Sequence, residues 1–225
     1  TLSVSSAASD VYKRQVFQES DRPIVSVIIP TYGEHHVTRR CLASLAEQAT
    51  ETAFEVLVVD DAFAEPLNLA SMHVSGAQLI RNTQNLGFLR TCNRAVGEAR
   101  GDYILLLNND TFVHAGAVNA LLESFTHFDN VGAVCAQLRF ADGRLQEAGG
   151  IVWSDGSAWN WGRGEHPQDP KFNYPREVDY GSAAALMVSR KLWEQLGGFD
   201  EDFAPAYYED TDLCWRARRI GSSDL

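Results

Sequence analysis

LLLNNDTF, residues 105–112, is an apolar run that leads directly into two amides and a carboxylate. In open α/β sheets, ligands bind just outside the carboxyl ends of the strands. A hard divalent cation that binds with phosphates takes one or two carboxylates and leaves its other positions to water and substrate. The same residues also suit a polar turn in which Asp110 caps a helix starting near His114. Taken alone, the stretch indicates either a metal–phosphate site or a simple helix entry.

Strands and helices alternate on both sides of this stretch. Runs of β-branched and aliphatic residues predict strands at 24–30, 54–61, 77–82, 103–107, 131–140 and 180–188. Helical spacing predicts helices at 36–48, 67–72, 87–101, 115–128 and 190–196. A last helix is expected from about Asp210, with Leu213, Ala217 and Ile220 on its inner face. This alternation is typical of βαβ units, so we expect an α/β fold with a mostly parallel central sheet flanked by helices.

The strand ends predict where a ligand would bind. Right-handed crossovers place the carboxyl ends of parallel strands at one edge of the sheet. The polar residues that follow the strands are Thr31 and Tyr32, Asp60 and Asp61, residues 82–85, and residues 108–110. Their convergence predicts a binding crevice at that edge.

Composition limits the function classes. A chain of 225 residues suits one domain, and its formal net charge of −11 argues against a nucleic-acid partner. A phosphorylated small ligand stays compatible, because a metal ion supplies positive charge locally. The four cysteines form no C-x-x-C pair and are expected to be buried free thiols in a reducing cytosol. No secretory signal is apparent, and the apolar runs are too short for a membrane span.

Both ends of the chain are expected to be foreign to the fold. VSSAASDVYKRQ, residues 4–15, resembles a translated sequencing-adapter artefact, and residues 222–225 have the same character. We therefore expect a non-native or disordered tail at 1–21, one domain at 22–221 that is truncated at its C-terminal side, and a non-native tail at 222–225.

The segment that follows residue 140 differs from the preceding sequence in composition and pattern. A hairpin is expected over residues 141–153, with Asp142 and Gly143 as its turn. Residues 154–175 are rich in Gly, Pro and aromatics, which is typical of a functional or disordered loop. Trp153, Trp159 and Trp161 suit a sugar-stacking surface, but they equally suit the cover of a core edge.

Four ordered motifs resemble the inverting family 2 glycosyltransferases of the GT-A fold, over nearly all of residues 24–221. They are SVIIPTYGE (26–34), VLVVDDAF (56–63), NLGFLRTCNRAVGEARGDYILLLNND (85–110) and GGFDEDFAPAYYEDTDLCWRARRIG (197–221). The resemblance implies a single Rossmann-like domain that moves a sugar from a UDP, dTDP or GDP donor to a glycan or lipid-linked acceptor. The long aromatic loop and the LQEAGG and WGRG segments resemble bacterial members that build surface polysaccharides such as O-antigen. The family resemblance also implies a cytoplasmic protein. For the full-length form, we expect peripheral association at the inner face of the plasma membrane.

The resemblance also implies the site residues. Donor binding would fall on Pro30, Thr31, Tyr32, Glu34, Asp61, Asn85, Gly87, Phe88, Asn93, Asn108, Asn109 and Asp110. Asp110 would be the protein ligand of Mg²⁺ or Mn²⁺, and the ion would arrive largely with the donor diphosphate. Asn108 and Asn109 would bind ribose or the turn backbone, and Asp60 would orient Asp61. The family's further histidine ligand lies beyond the last helix, where this chain has none.

The resemblance places the catalytic base in the pair Glu209 and Asp210, and we choose Asp210. Inverting transfer needs one base that removes the proton of the acceptor hydroxyl. Asp210 and Asp212 also suit a helix N-terminus, which lowers a carboxyl pKa, whereas a neighbouring carboxylate raises it. Gly181 and Ser182 are hypothesised to line the acceptor side.

The sequence bears on three other classes of protein. A sugar-nucleotide pyrophosphorylase needs a glycine-rich basic loop after the first strand, and PTYGEHH is not one. A dehydrogenase needs G-x-G-x-x-G at that place, which is missing. A binding module that keeps the nucleotide crevice without turnover stays open as the non-enzyme alternative.

Overall fold

The computed structural model describes residues 14–48 and 52–225. Its first half contains β1 (Gln15–Val16), β2 (Val25–Thr31), α1 (His35–Ala46), β3 (Phe54–Asp60), β4 (Val74–Ser75), β5 (Gln78–Arg81), α2 (Gly87–Glu98) and β6 (Tyr103–Leu107). The second half contains α3 (Ala117–His127), β7 (Val131–Cys135), β8 (Leu138–Arg139), β9 (Leu145–Glu147), β10 (Gly150–Val152), β11 (Ala158–Asn160), β12 (Ala185–Ser189), α4 (Arg190–Leu196), α5 (Glu209–Arg219) and β13 (Ser223–Asp224).

A seven-stranded sheet in the order β13-β7-β12-β6-β2-β3-β5 forms the centre of the domain. Strand β2 runs parallel to β3 and β6, and β5 runs parallel to β3. Strand β12 is antiparallel to both of its neighbours, β6 and β7. The expected mostly parallel sheet is therefore confirmed, with one reversed strand inserted beside the strand that carries LLLNNDTF.

Helices cover both faces of this sheet. Alternate residues of β2 face opposite ways, so Val27 and Ile29 join one core while Ile28 joins the other. The first core is covered by α1 and α3, and the second by α2, α4 and α5. Because both faces are buried, the strands read as continuous apolar runs rather than alternating ones.

Some sequence predictions were wrong. No helix forms at 67–72, because Asn68 accepts a hydrogen bond from the Ser71 amide (3.1 Å) and organises a turn instead. The strand expected at 131–140 stops at Cys135 and resumes as β8, and the strand expected at 180–188 begins only at Ala185. Ile220 is 47% exposed rather than inward-facing, because α5 ends one residue earlier.

Parts of both expected tails pack against the domain. Gln15 and Val16 pair with Val74 and Ser75, and the buried Phe17 ring contacts Phe54. At the other end, β13 runs parallel to β7. Residues 1–13 lie outside the described residues, and the foreign origin of the two tails stays a prediction.

The long connection from β7 to β12 carries two hairpins. The first pairs β8 with β9 and turns at Asp142 and Gly143, as expected. The second pairs β10, at the end of the expected hairpin region, with β11, which lies inside the region expected to be a loop. Among the helices of the described residues, none has the length and apolar character needed to cross a membrane.

Candidate active site

The end of β6 is tied to α1 by a buried hydroxyl pair. The Thr31 and Thr38 hydroxyl oxygens lie 2.9 Å apart, and the Asn109 amide donates to Thr38 at 3.0 Å. Asn109 therefore faces the protein and fixes the turn that follows the strand. The Asn108 main-chain amide donates to the carbonyl oxygen of Ala184 at 3.0 Å, which ties the same turn to the start of β12.

Asp110 is left exposed by this arrangement. Helix α3 begins at Ala117 with Gly116 at its cap position and no side-chain cap, so the interpretation of Asp110 as a helix cap was wrong. Among the described residues, none forms a hydrogen bond or ion pair with the Asp110 carboxylate. An unpaired carboxylate at a strand end is free to bind a cation.

Whether a metal ion can bind beside Asp110 depends on which side chains are available there as ligands. No group of three or more His, Cys, Asp or Glu side chains suited to a metal occurs in the described part of the chain. A single carboxylate does match the way Mg²⁺ binds in phosphate sites, where substrate oxygens and water complete the octahedron. The residues therefore fit an ion that is delivered with a diphosphate.

Asp61 joins β3 to the start of α2. One carboxylate oxygen accepts hydrogen bonds from the Asn82 side chain (2.6 Å) and the Leu86 amide (2.8 Å). The other accepts from the Gly87 amide at 2.9 Å. The negative charge thus complements the helix N-terminus. Gly87 has φ +77°, a conformation that strains other residues.

Replacing Asp61 by alanine should destabilise the fold by about 3 kcal/mol, because buried N–H donors lose a charged acceptor. Asp102, exposed at the opposite end of β6, provides the control, and D102A should change the free energy of unfolding by less than about 0.5 kcal/mol. Urea unfolding of both variants measures the difference. Equal midpoints for D61A and wild type would contradict this role.

Asp60 organises the loop after β3. It accepts hydrogen bonds from the Phe63 and Leu67 amides, both at 3.1 Å, and pairs with Arg81. The loop places the Phe63 ring 5.1 Å from the Tyr32 ring. Sequence reasoning did not single out Phe63, although its aromatic side chain lies only two residues after Asp61.

The remaining donor candidates divide into two groups. Tyr32, Glu34 and Asn85 are exposed near the strand ends, whereas Pro30 is buried within β2. Asn93 donates to and accepts from the main chain of Phe199, both at 2.9 Å. Phe88 packs on the Phe199 ring. Asn93 and Phe88 therefore hold the turn at 197–200 against α2.

A second pair of carboxylates lies at the start of α5. Asp210 accepts a hydrogen bond from the Ala183 amide (3.1 Å) through one oxygen and from the Thr211 amide (2.7 Å) through the other. Glu209 is 6% exposed, and its Oε2 has no hydrogen-bond partner among the described residues. Burial raises the pKa of both carboxyls, and for Asp210 this outweighs its hydrogen bonds.

The backbone before this pair is strained. Tyr207 and Tyr208 have φ +82° and +67°, which is unusual for aromatic residues. Such conformations cluster at functional sites, where the surrounding structure enforces them.

One short turn connects the two carboxylate sites. Residues 182–184 bind Asp210 through the Ala183 amide and the LLLNNDTF turn through the Ala184 carbonyl oxygen. A Cβ added to Gly87 would lie 3.3 Å from the Pro205 carbonyl oxygen, so the segment before α5 also reaches the Asp61 network. The strand and helix ends that carry Asp61, Asp110 and Asp210 therefore lie next to one another.

The tryptophans of the second hairpin have different roles. Trp161 packs on Phe172 and Arg176 and covers the core edge. Trp153 and Trp159 are 53% and 66% exposed and line an open cleft of about 600 Å³.

The cysteines contribute no reactive thiol to this region. All four are free, and burial raises the pKa of Cys41 and Cys135 to about 12. The expectation of free thiols is confirmed, with Cys135 only half-buried.

Comparison with known proteins gives the family. The family model "Glycosyl transferase family 2" matches residues 26–195, so the chain belongs to glycosyl transferase family 2. The chain is 31% identical over 189 residues to the O-antigen biosynthesis protein RfbC of Myxococcus xanthus, covering 80% of this chain and 15% of RfbC. It is 28% identical over 221 residues to N-acetylglucosaminyl-diphospho-decaprenol L-rhamnosyltransferase of Mycobacterium tuberculosis, covering 88% of this chain and 71% of that protein.

Solved structures confirm the GT-A fold. The mannosyltransferase PcManGT from Pyrobaculum calidifontis, in complex with GDP-Man and Mn²⁺, superposes with a TM-score of 0.62 at 20% identity. The match covers 97% of this chain and 59% of that one. The chain spans 24% and 15% of the length of two curated relatives that it matches.

Proposed function

We propose that this chain is an inverting glycosyltransferase that moves a sugar from a nucleotide-diphosphate donor to a glycan or lipid-linked acceptor. The observation that carries the proposal is the turn at 182–184, which binds Asp210 on one side and the Asp110 turn on the other. Transfer needs a base for the acceptor and a cation ligand for the leaving diphosphate at adjoining places, and this turn links the segments that carry the two candidate carboxylates.

The donor would lie along the strand ends. Tyr32 and Glu34 would meet the base and ribose beside the Phe63 ring. Pro30 and Thr31 would fix the backbone beneath them, because both are buried and the Thr31 hydroxyl is bonded to Thr38. Asp61 would complete the base and ribose side, Asn85 and Gly87 would border the nucleotide-sugar, and Asn108 would face the ribose from the next strand. Asn93, Phe88 and Asn109 keep a supporting role, because their side chains are committed to packing or internal hydrogen bonds.

Asp110 would hold Mg²⁺ or Mn²⁺ together with the donor diphosphate. When bound, the ion supplies Lewis-acid stabilisation of the charge that develops on the leaving diphosphate. Among the described residues, Asp110 is the exposed carboxylate at the end of β6, and a single protein ligand would make metal and nucleotide bind cooperatively.

Asp210 would act as the base. Its carboxylate is half-buried at the turn, where an acceptor hydroxyl approaching past Gly181 and Ser182 would meet it. Glu209 is buried on the α2 side, where its charge acts on Cys92, so it is less accessible to an acceptor. Because the Asp210 pKa is raised, activity should fall as pH decreases towards that value.

The biological setting is inferred from the relatives. RfbC is named for O-antigen biosynthesis and the mycobacterial relative for a decaprenol-linked acceptor. We propose that this chain likewise acts in bacterial surface-polysaccharide synthesis, in the cytoplasm and peripherally at the inner face of the plasma membrane.

Donor turnover tests the proposed function. UDP-, dTDP- and GDP-sugars are incubated with the protein and Mn²⁺, and release of the nucleoside diphosphate is measured. Release from one nucleotide class, dependent on the metal, is expected. Nucleotide binding without release from any donor would favour the binding module, and neither binding nor release would overturn the proposal.

A further inference from the structure

We propose that Glu147 is a positioning residue of the catalytic site, which holds Asp210 at the turn 182–184 and accepts the proton that Asp210 removes from the acceptor. The inference rests on the proposed function and adds a group outside the four ordered motifs at 26–34, 56–63, 85–110 and 197–221.

Two carboxylates are bound by consecutive amides of one turn. The Ser182 amide donates to Glu147 Oε1 at 3.3 Å, and the Ala183 amide donates to Asp210 Oδ2 at 3.1 Å. Adjacent amides lie one peptide unit apart, so the two carboxylates approach each other at this turn. Glu147 is fixed there by β9, whose Leu145 and Glu147 point to the same buried side.

Glu147 lies in an environment that disfavours its charge. It is 3% exposed and forms no ion pair with any described residue. The ionisable groups around it are Asp210, Tyr180, Cys135 and Arg163. The hydrogen bond from the Ser182 amide and the charge of Arg163 favour the ionised form. The Arg163 guanidinium stacks over the Phe140 ring rather than pairing with the carboxylate. Burial, reinforced by Asp210, raises the Glu147 pKa to about 7.

The proton balance gives Glu147 a role. As the acceptor oxygen bonds to the anomeric carbon and the carbon–diphosphate bond breaks, the acceptor proton moves to Asp210. Ionised Glu147 next to it then accepts that proton and becomes neutral, which restores the Asp210 carboxylate. After the product leaves, the proton returns to solvent through the half-buried Asp210, because Glu147 itself is buried. The negative charge of Asp210 in turn raises the Glu147 pKa, so protonation of Glu147 sets the acidic limb of turnover.

The pH profile of E147Q tests this role against a merely structural one. Removing the charge should shift the acidic limb of donor turnover to lower pH by about one unit, and it should lower the maximal rate about tenfold. E147D keeps a carboxylate, so the acidic limb of its pH profile should match that of wild type. Glu165 is exposed in the same connection, so E165Q serves as the control and should leave rate and profile unchanged. If the acidic limb and the maximal rate of donor turnover were the same in E147Q as in wild type, the inference would be overturned.

Thermal unfolding gives a readout that does not depend on turnover. A carboxyl whose folded pKa is raised stabilises the fold at low pH, and that contribution is lost as pH rises through the folded value. E147Q should therefore melt above wild type at pH 8.5, and the gain should vanish at pH 5. Equal melting temperatures at pH 8.5 would overturn the assigned environment of Glu147. Absence of donor turnover in wild type would instead remove the proposed function.

Discussion

Asp210→Asn is expected to lower sugar transfer about 1,000-fold, because the amide cannot accept the acceptor proton. The amide is nearly isosteric and can still accept the hydrogen bond from Ala183 through its oxygen, so the turn should persist. Binding of the nucleotide with Mn²⁺ should stay within about twofold of wild type, since the donor does not need the base. Single-turnover transfer and calorimetric titration measure the two quantities separately.

Two matched variants sharpen this result. Glu209→Gln removes the neighbouring charge, and Asp202→Asn changes an exposed carboxylate before α5. Both should retain transfer to within about tenfold. Near-normal transfer in D210N together with a loss in E209Q would identify Glu209 as the base.

Asp110→Asn is expected to remove the dependence of nucleotide binding on Mn²⁺. The amide oxygen is a weaker ligand for a hard cation, and the described residues contain no group of three or more His, Cys, Asp or Glu side chains suited to a metal. Donor turnover should fall by about 100-fold or more, because metal stabilisation of the leaving diphosphate is worth several kcal/mol.

Asp102→Asn is the control for this substitution, since Asp102 is exposed at the opposite end of the same strand. D102N should bind nucleotide with the wild-type metal dependence. If D110N retained that dependence, the cation would be held elsewhere and the assignment of Asp110 would fail.

The sheet could be predicted from the sequence because its strands are short, apolar and separated by amphipathic helices. Burial on both faces leaves little choice other than a mostly parallel sheet. The antiparallel direction of β12 could not be predicted, because direction depends on how the connection from residues 136 to 184 returns. The helix expected at 67–72 failed because a local Asn68–Ser71 bond competes with the helix.

The site was predictable only where side chains follow strands. Asp61 and Asp110 were placed at the correct edge by strand order alone, and their chemical roles stay predictions. The inward orientation of Asn109 and the bonds of Asn93 to Phe199 depend on tertiary contacts that spacing does not encode. Glu147 was not singled out as a site residue, although an acidic residue that shares one side of a strand with Leu145 is a signal of a buried carboxylate.

The most direct test of the central claim is calorimetric titration of the protein with UDP, dTDP and GDP, each with and without Mn²⁺. One nucleotide should bind with at least about tenfold higher affinity in the presence of the metal, and D110N should lose that gain. Absence of binding by all three nucleotides under both conditions would contradict the account.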